Sequence, residues 1–234
     1  MSQEKYLSIY YESEPGGKKV DLEPSKTALL IVDLQNQFVL RDFGDAEQLK
    51  EAGEWEKWIP FHDRLDDIVI PNTKKVMDFF RKNNMEVTYG RIACQTKDGR
   101  DRSPVQANEG WNDILLPKDS YAAQIIDELK PLEDEIVVDK TTDSVVSGTN
   151  YAQVLRSMGI VNVVVCGIVT DQCVSSTVRS LADEGFDVVV VDDACAAGTD
   201  ELHRWELTII NKIYCEIMDA EEVLAHLKEK LNIG

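Results

Sequence analysis

Six short stretches of the chain are almost continuously apolar, and segments with helical periodicity separate them. Runs of β-branched residues without polar alternation are typical of strands buried on both faces of a parallel sheet. The apolar stretches are TALLIVD (27–33), EVTYGRI (86–92), EIVVDK (135–140), NVVVCGI (162–168), DVVVVDD (187–193) and KIYCEIM (212–218). The intervening patterns predict helices over 70–84, 148–159, 175–185, 200–211 and 219–231.

This alternation predicts a three-layer α/β/α fold with a mostly parallel, six-stranded, Rossmann-like sheet and right-handed crossovers. If the strands follow the order 3-2-1-4-5-6, the first and fourth flank the crevice where such sheets bind ligands. The 234 residues suit a single domain over 27–234, preceded by an N-terminal arm over 1–26 that could pack on another subunit. Residues 39–69 form an insertion after the first strand, and either a lid over the strand ends or a surface excursion would fit them.

The charge and the cysteines limit the partners and the compartment. The chain has 25 basic and 43 acidic residues, a net charge of −18, which argues against nucleic acid and anionic membrane as partners. The sequence lacks a transmembrane run of about 18 apolar residues and the apolar region of a signal peptide. The 5 cysteines are an odd number without a C-x-x-C pair, which favours neither a disulfide framework nor a zinc ribbon. We therefore expect a cytoplasmic protein.

The stretch GIVTDQC (167–173) places Cys173 after an apolar strand and a short turn, where the next helix begins. The positive end of the helix dipole and the free N–H groups would favour a thiolate, so we expect a depressed pKa for Cys173. A buried structural cysteine is the alternative. None of His62, His203 and His226 stands at the carboxyl end of a strand, so a Cys–His pair has little support.

Two charged residues also close apolar strands: Asp33 ends the first and Lys140 ends the third. A charge at such a position is costly to bury without a partner. If the carboxylate of Asp33, the ammonium group of Lys140 and the thiol of Cys173 met, their contacts would offset the free-energy cost of burying each of them. Taken alone, each charge could equally belong to an ion pair or a capped turn. The third strand is also the farthest of the three in the expected order, and the sequence does not show that Lys140 reaches the others.

Three separated motifs carry a family resemblance over about residues 27 to 230. In this order they resemble the isochorismatase-like cysteine hydrolases, which include nicotinamidases, N-carbamoylsarcosine amidase, and the biuret and ureidoacrylate amidohydrolases. The motifs are ALLIVDLQNQF (28–38), IVVDKTTDSVVSGTN (136–150) and VVVCGIVTDQCVSSTVRSLADEGFDVVVVDDACAA (163–197).

The resemblance implies a catalytic triad of Asp33, Lys140 and Cys173. It also implies a cis peptide bond between Ile168 and Val169 and an oxyanion hole formed by the backbone amides of Val169 and Cys173. The implied reaction cleaves a C–N bond of a small amide, ureide or carbamoyl compound through a thioester, with no metal or organic cofactor. The family is commonly dimeric or tetrameric, so we expect a homo-oligomer.

Departures from the family narrow the substrate. No D-x-H metal pattern follows the first motif, which disfavours nicotinamidase activity, and isochorismatases proper lack the nucleophilic cysteine. We expect Arg91, which closes the second strand, to bind a carboxylate or a urea-type carbonyl. Asn36, Gln37 and Phe38 follow Asp33 and are predicted to contact the substrate.

Other classes of function stay open at this point. A catalytically silent or regulatory protein of the same fold that binds a small molecule is the main alternative. A nucleotide-binding protein is disfavoured because no G-x-G-x-x-G or P-loop pattern occurs. A thiol redox enzyme would need a resolving cysteine, for which Cys195 is the candidate. The roles of Arg100 and Arg102 are undecided.

Overall fold

The computed structural model describes residues 5–13, 19–110 and 112–233, and within them six strands form one parallel sheet. Counting these six in chain order, the sheet has the order 3-2-1-4-5-6, the order in which the first and fourth strands are neighbours. Every neighbouring pair is parallel. The strands are β1 Thr27–Val32, β2 Glu86–Ile92, the short antiparallel pair β3 Ala107–Asn108 and β4 Asn112–Asp113 outside the sheet, β5 Ile136–Lys140, β6 Asn162–Ile168, β7 Asp187–Ala196 and β8 Glu216–Met218.

Helices cover both faces of the sheet, which confirms the three-layer fold. None of the described helices is long and apolar enough to cross a membrane. They are α1 Asn36–Val39, α2 Asp45–Glu51, α3 Ile59–Arg64, α4 Ile70–Lys82, α5 Tyr151–Ser157, α6 Ser175–Asp183, α7 Asp200–Ile210 and α8 Ala220–Leu231. Two wide π-helical turns, Leu65–Val69 and Thr170–Val174, precede α4 and α6.

Alternate residues of the central strands supply two separate halves of the core. In β1, Leu29 and Ile31 pack with α4 and α8, whereas Leu30 and Val32 pack with α5, α6 and α7. All residues of β1 and of β6 are buried. Both strands therefore lack the polar alternation of a half-exposed sheet, which is why their sequences read as continuous apolar runs.

Two predicted elements have different bounds in the structure. The helix expected over 70–84 starts earlier, because α3 continues through the π turn Leu65–Val69 into α4. Pro71 lies at the start of α4 and has no N–H to donate to a preceding carbonyl. The wide π turn just before it accommodates this missing hydrogen bond. The last strand spans Glu216–Met218 and is shorter than the predicted 212–218. Lys212 has a φ of 73°, so the chain is not extended at the predicted start of the strand.

The described parts of the N-terminal arm contact their own chain, and packing of the arm on another subunit stays a prediction. Tyr6 is 2% exposed, and its carbonyl accepts a hydrogen bond from Asn211 Nδ2 at 2.7 Å. The backbone N–H of Val20 donates to the carboxylate of Glu216 at 2.6 Å. Residues 1–4 and 14–18 of the predicted arm lie outside the described residues.

Candidate active site

Asp33 lies at the carboxyl end of β1 and points into the molecule. Its φ of 53° ends the extended conformation of the strand, and its N–H donates to the carbonyl of Gly90 in β2 at 2.9 Å. The side chain is only 3% exposed. The oxygen Oδ1 is buried and has no hydrogen-bond partner among the described residues. One carboxylate oxygen is therefore available to accept a proton.

Lys140 is the last residue of β5, and its side chain reaches the other two candidate residues. Its Nζ donates to Asp33 Oδ2 at 2.8 Å, to Cys173 Sγ at 3.4 Å and to the carbonyl of Thr142 at 3.2 Å. Strand β2 separates β5 from β1, so the contact with Asp33 crosses two strand spacings of about 4.8 Å each. The sheet thus brings together three residues that lie far apart in sequence.

Cys173 lies inside the π turn Thr170–Val174 rather than at the start of the α-helix, which begins at Ser175. The residue is 6% exposed. Burial raises the pKa of the Cys173 thiol well above its ordinary value, and the negative charge of Asp33 raises it further, while Lys140 opposes the change. The predicted depression of this pKa is wrong, because lost hydration and a nearby carboxylate outweigh a helix terminus.

Asp33 and Lys140 form a buried ion pair beside the neutral thiol. Burial raises the pKa of Asp33, although the positive charge of Lys140 opposes that effect. Burial would lower the pKa of Lys140, but the negative charge of Asp33 and the nearby Cys173 outweigh it, so this pKa is raised. A carboxylate with a raised pKa is a stronger base for a thiol proton than an exposed one.

The loop between β6 and Cys173 brings its backbone close to β1. The peptide bond between Ile168 and Val169 is cis. Gly167, which precedes it, has a φ of 126°, and a Cβ atom there would lie 2.1 Å from the carbonyl oxygen of Val32. No other residue type fits this contact, so the glycine lets the end of β6 lie directly beside the end of β1.

A cavity of about 530 Å³ opens in front of the thiol. Its wall is largely apolar, and much of it comes from the insertion over 39–69. The structure therefore places this insertion at the strand ends, where a lid would act. The lining residues are Asp33, Phe38, Asp45, Gln48, Leu49, Ala52, Trp58, Phe61, His62, Ile92, Ile114, Ile168, Val169, Asp171, Gln172, Cys173, Gly198 and Leu202.

Of the four residues predicted to contact the substrate, Phe38 lines this cavity and the other three do not. Asn36 Nδ2 donates to the carbonyl of Tyr121 at 2.9 Å, and Gln37 Nε2 donates to Asp45 Oδ1 at 2.7 Å. These two amides connect neighbouring segments of the protein.

Arg91 also has partners within the protein, and its predicted contact with a ligand stays a prediction. It donates to Asp139 at 2.7 Å and to Gln124 at 2.9 Å. Arg100 and Arg102 also lie outside the cavity wall. Arg100 pairs with Asp98, and Arg102 pairs with Asp113.

A second buried cluster was missed in the sequence. His203 forms two hydrogen bonds through its ring nitrogens. Its Nδ1 lies 2.8 Å from Thr170 Oγ1, and its Nε2 lies 2.9 Å from Asp192 Oδ1. The hydroxyl of Tyr6 and the ammonium group of Lys5 also donate to Asp192, at 2.9 and 3.0 Å. The only signal in the sequence is an aspartate within the apolar run 187–193. The cluster supports Thr170, the residue that follows the cis bond by one position.

The remaining polar groups do not suggest other chemistry. All 5 cysteines are free and buried. Across the described ranges, no three His, Cys, Asp or Glu side chains converge in an arrangement that would hold a metal ion.

Sequence and structure comparisons show to which family and fold the chain is similar. The isochorismatase domain model matches residues 27–222. Ureidoacrylate amidohydrolase RutB of Acinetobacter baylyi is 27% identical over 230 residues, which cover 90% of this chain and 86% of the relative. N-carbamoylsarcosine amidase of an Arthrobacter species is 26% identical over 171 residues, 69% of this chain and 62% of the relative.

Among solved structures, a cysteine hydrolase from Pseudomonas syringae pv. phaseolicola superposes with a TM-score of 0.76. The two chains are 22% identical, and the match covers 91% of this chain and 97% of the other. At this identity the likeness establishes the fold.

Proposed function

Because the chain belongs to the isochorismatase family, we propose that it is a cysteine-dependent amidohydrolase that cleaves a C–N bond of a small amide, ureide or carbamoyl compound. One observation carries the proposal: Lys140 Nζ contacts both Asp33 and Cys173, at 2.8 and 3.4 Å, at the floor of a cavity large enough for a small substrate. The amidohydrolase and amidase named above support a hydrolase acting on C–N bonds other than peptide bonds.

The proposed reaction starts from the neutral thiol. Asp33 accepts the proton of Cys173 as the sulfur attacks the carbonyl carbon, and the C=O electron pair moves onto the oxygen. The backbone amides of Val169 and Cys173 stabilise this oxyanion, and each such donor typically contributes about 3 kcal/mol. Lys140 balances the negative charge that moves between Asp33 and the sulfur.

The tetrahedral intermediate then expels the leaving nitrogen, which takes the proton from Asp33 and departs as ammonia or an amine. A thioester on Cys173 remains. Asp33 next accepts a proton from water, whose hydroxide attacks the thioester carbonyl. The sulfur leaves, takes the proton back from Asp33, and the resting state returns. The products are an acid and ammonia or an amine, and protons balance over the cycle.

An ammonia-release screen over primary amides, ureides and carbamoyl compounds tests this function. The native protein is expected to release ammonia from at least one class, and Cys173→Ala is expected to release none. Cys215→Ala is the matched control, since Cys215 is 7% exposed, close to the 6% of Cys173, but lies outside the cavity. Equal turnover by native protein and Cys173→Ala would overturn the mechanism.

The alternative is a silent protein of the same fold that binds small molecules. Mass spectrometry after acid quenching separates the two, because only the enzyme carries substrate acyl mass on Cys173 during turnover. A ligand that stabilises the protein against heat, with neither ammonia nor an acyl adduct, would favour the silent protein.

We also propose that the protein assembles as a homo-oligomer, a dimer or a tetramer. Trp205 and Ile209 lie about one turn apart on α7 and are 52% and 54% exposed, and Ile213 beyond the helix is 53% exposed. An apolar surface of this kind is typical of a contact between subunits. Light scattering that detects only a monomer would refute the assembly. The cytoplasmic location stays a prediction.

A further inference from the structure

The cavity in front of Cys173 carries negative charge without a positive side chain in its wall. Asp33, Asp45 and Asp171 line it, whereas no lysine or arginine does so within the described ranges. The imidazole of His62 also lines it, but burial lowers the pKa of His62, so this ring is neutral at pH 7. Lys140 lies behind the wall and is paired with Asp33, so an anionic ligand would meet the carboxylates of Asp45 and Asp171 without a lysine or arginine in the wall to offset them.

Two arginines near the cavity, Arg41 and Arg64, make contacts elsewhere in the protein. Arg41 binds Asp63 and Asp66 at 2.7 and 2.6 Å. Arg64 donates to the carbonyls of Cys195 and Asp192, at 3.1 and 3.2 Å, and it is not among the residues that line the cavity. Neither cation can bind a ligand without breaking contacts that it already makes.

Two of the three cavity aspartates, Asp45 and Asp171, have no ion pair within the described residues, whereas Asp33 is paired with Lys140. Asp45 accepts one hydrogen bond, from the neutral amide of Gln37, and burial raises its pKa. Asp171 Oδ1 is buried and has no hydrogen-bond partner among residues 5–13, 19–110 and 112–233. Burying a carboxylate without a counter-charge costs free energy, and a cationic ligand would recover it.

The remainder of the wall suits an apolar body that ends in such a cation. Aromatic faces stabilise an ammonium group in addition to excluding water from it. Aliphatic residues from α2, from the loop after β4 and from the start of α7 complete the surface. The aromatic and larger aliphatic lining residues are Phe38, Leu49, Trp58, Phe61, Ile92, Ile114, Ile168 and Leu202.

We propose that the substrate is a small amide with an apolar body and a positively charged amine at the end remote from the scissile bond, with Asp45 and Asp171 as its counter-charge. The inference rests on the amidohydrolase function proposed above and names its substrate class. It separates this chain from hydrolases of ureidoacrylate or N-carbamoylsarcosine, because those two compounds are carboxylates.

Three benzamides of the same shape test the charge preference by ammonia release: 4-(aminomethyl)benzamide, 4-methylbenzamide and 4-carboxybenzamide. We expect kcat/KM to fall in that order, by about tenfold or more at each step, because one charge changes sign next to two carboxylates. Hydrolysis of the carboxylate as fast as the amine, or faster, would overturn the inference.

Isosteric variants locate the counter-charge. Asp45→Asn and Asp171→Asn should each lower the ratio of kcat/KM for the amine to that for the methyl compound by about tenfold. Asp45→Asn keeps an oxygen that can accept from Gln37. The control is Asp42→Asn, which removes one exposed carboxylate outside the cavity wall and should leave the ratio unchanged. An unchanged ratio in both cavity variants would also overturn the inference.

A second measurement needs no turnover. Cys173 is modified separately with three methanethiosulfonates that carry an aminoethyl, a methyl or a sulfonatoethyl group. The rate constant of each modification is divided by the rate constant of the same reagent with 2-mercaptoethanol, which corrects for the reactivity of the reagent itself. Cys173→Ala supplies the background from the other cysteines. We expect the cationic reagent to react fastest and the anionic one slowest.

The two measurements distinguish the two proposals. If the cationic reagent modifies Cys173 fastest but no amide releases ammonia, the proposed amidohydrolase function is refuted and the preference of the cavity for a cation is retained. Ammonia release with equal labelling rates and equal hydrolysis of all three benzamides would keep the function and remove the substrate class.

Discussion

The molecule buries two clusters of charged groups, one at the carboxyl ends of β1 and β5 and one around Asp192 within β7, and they differ in how completely the carboxylate is satisfied. Asp33 receives one hydrogen bond, from Lys140, and its Oδ1 has no partner among the described residues. Asp192 receives hydrogen bonds on both oxygens, from Lys5, Tyr6 and His203. The first cluster faces the cavity and the second does not.

The pKa values follow from this difference. Burial by itself would raise the pKa of both carboxyl groups, that of Asp33 and that of Asp192. At Asp192 the bonds from His203, Lys5 and Tyr6 outweigh burial and lower the pKa to about 2. At Asp33 burial prevails over Lys140, and the pKa is raised. An incompletely satisfied carboxylate with a raised pKa is the better proton acceptor, whereas a fully satisfied one serves structure.

The largest expected effect is on catalysis at the first cluster. Asp33→Asn keeps the shape but removes the proton acceptor, so kcat should fall about 1000-fold, which is about 4 kcal/mol in the activation barrier. Steady-state ammonia release measures it. A rate within about tenfold of the native protein would assign the base to another group and erase the contrast between the clusters.

Next in size is the loss of stability when the buried ion pair is broken. Lys140→Met leaves Asp33 buried without a counter-charge, and the free energy of unfolding should fall by about 3 kcal/mol. The pKa of Asp33 should rise further, so the acidic limb of the pH–rate profile should move to higher pH. In the double variant Asp33→Asn/Lys140→Met stability should recover while activity stays lost. Recovery of activity there would contradict the proposed roles.

The second cluster should affect stability in acid. The pKa of Asp192 is lowered from 3.8 to about 2, so its contribution is complete above pH 4 and is lost as the pH falls through about 2. This shift corresponds to about 2 kcal/mol. The stability difference between the native protein and Asp192→Asn, measured by urea unfolding, should be constant above pH 4 and shrink towards pH 2. A difference that grows in acid would refute the assignment.

The smallest effect concerns the N-terminal arm. Tyr6→Phe removes the hydroxyl that donates to Asp192 and should lower the free energy of unfolding by about 1 kcal/mol. Tyr10→Phe is the control, because Tyr10 is 84% exposed and should change stability by less than about 0.5 kcal/mol. Equal effects of the two variants would mean that the arm contributes nothing to the second cluster.

Particular residues show how far sequence analysis reached. Asp33, Lys140 and Cys173 were identified because their chemistry is unusual at the end of an apolar strand and because three motifs resemble one family. Arg91, Asn36 and Gln37 have similar chemistry and similar positions, yet the structure engages them within the protein. Their partners come from other segments, and no local pattern predicts such pairings.

The sequence by itself indicated the parallel α/β architecture through its apolar periodicity, and the candidate triad through strand-end charges and the family resemblance of three motifs, because these signals are local properties. Only the tertiary structure decided the rest. It carried Lys140 across β2 to Asp33, enclosed Cys173 so that its pKa rises, and set Asp45 and Asp171 into a wall without a cation. The physical reason is that hydration, electric field and hydrogen-bond partners at a buried site depend on which distant segments meet there.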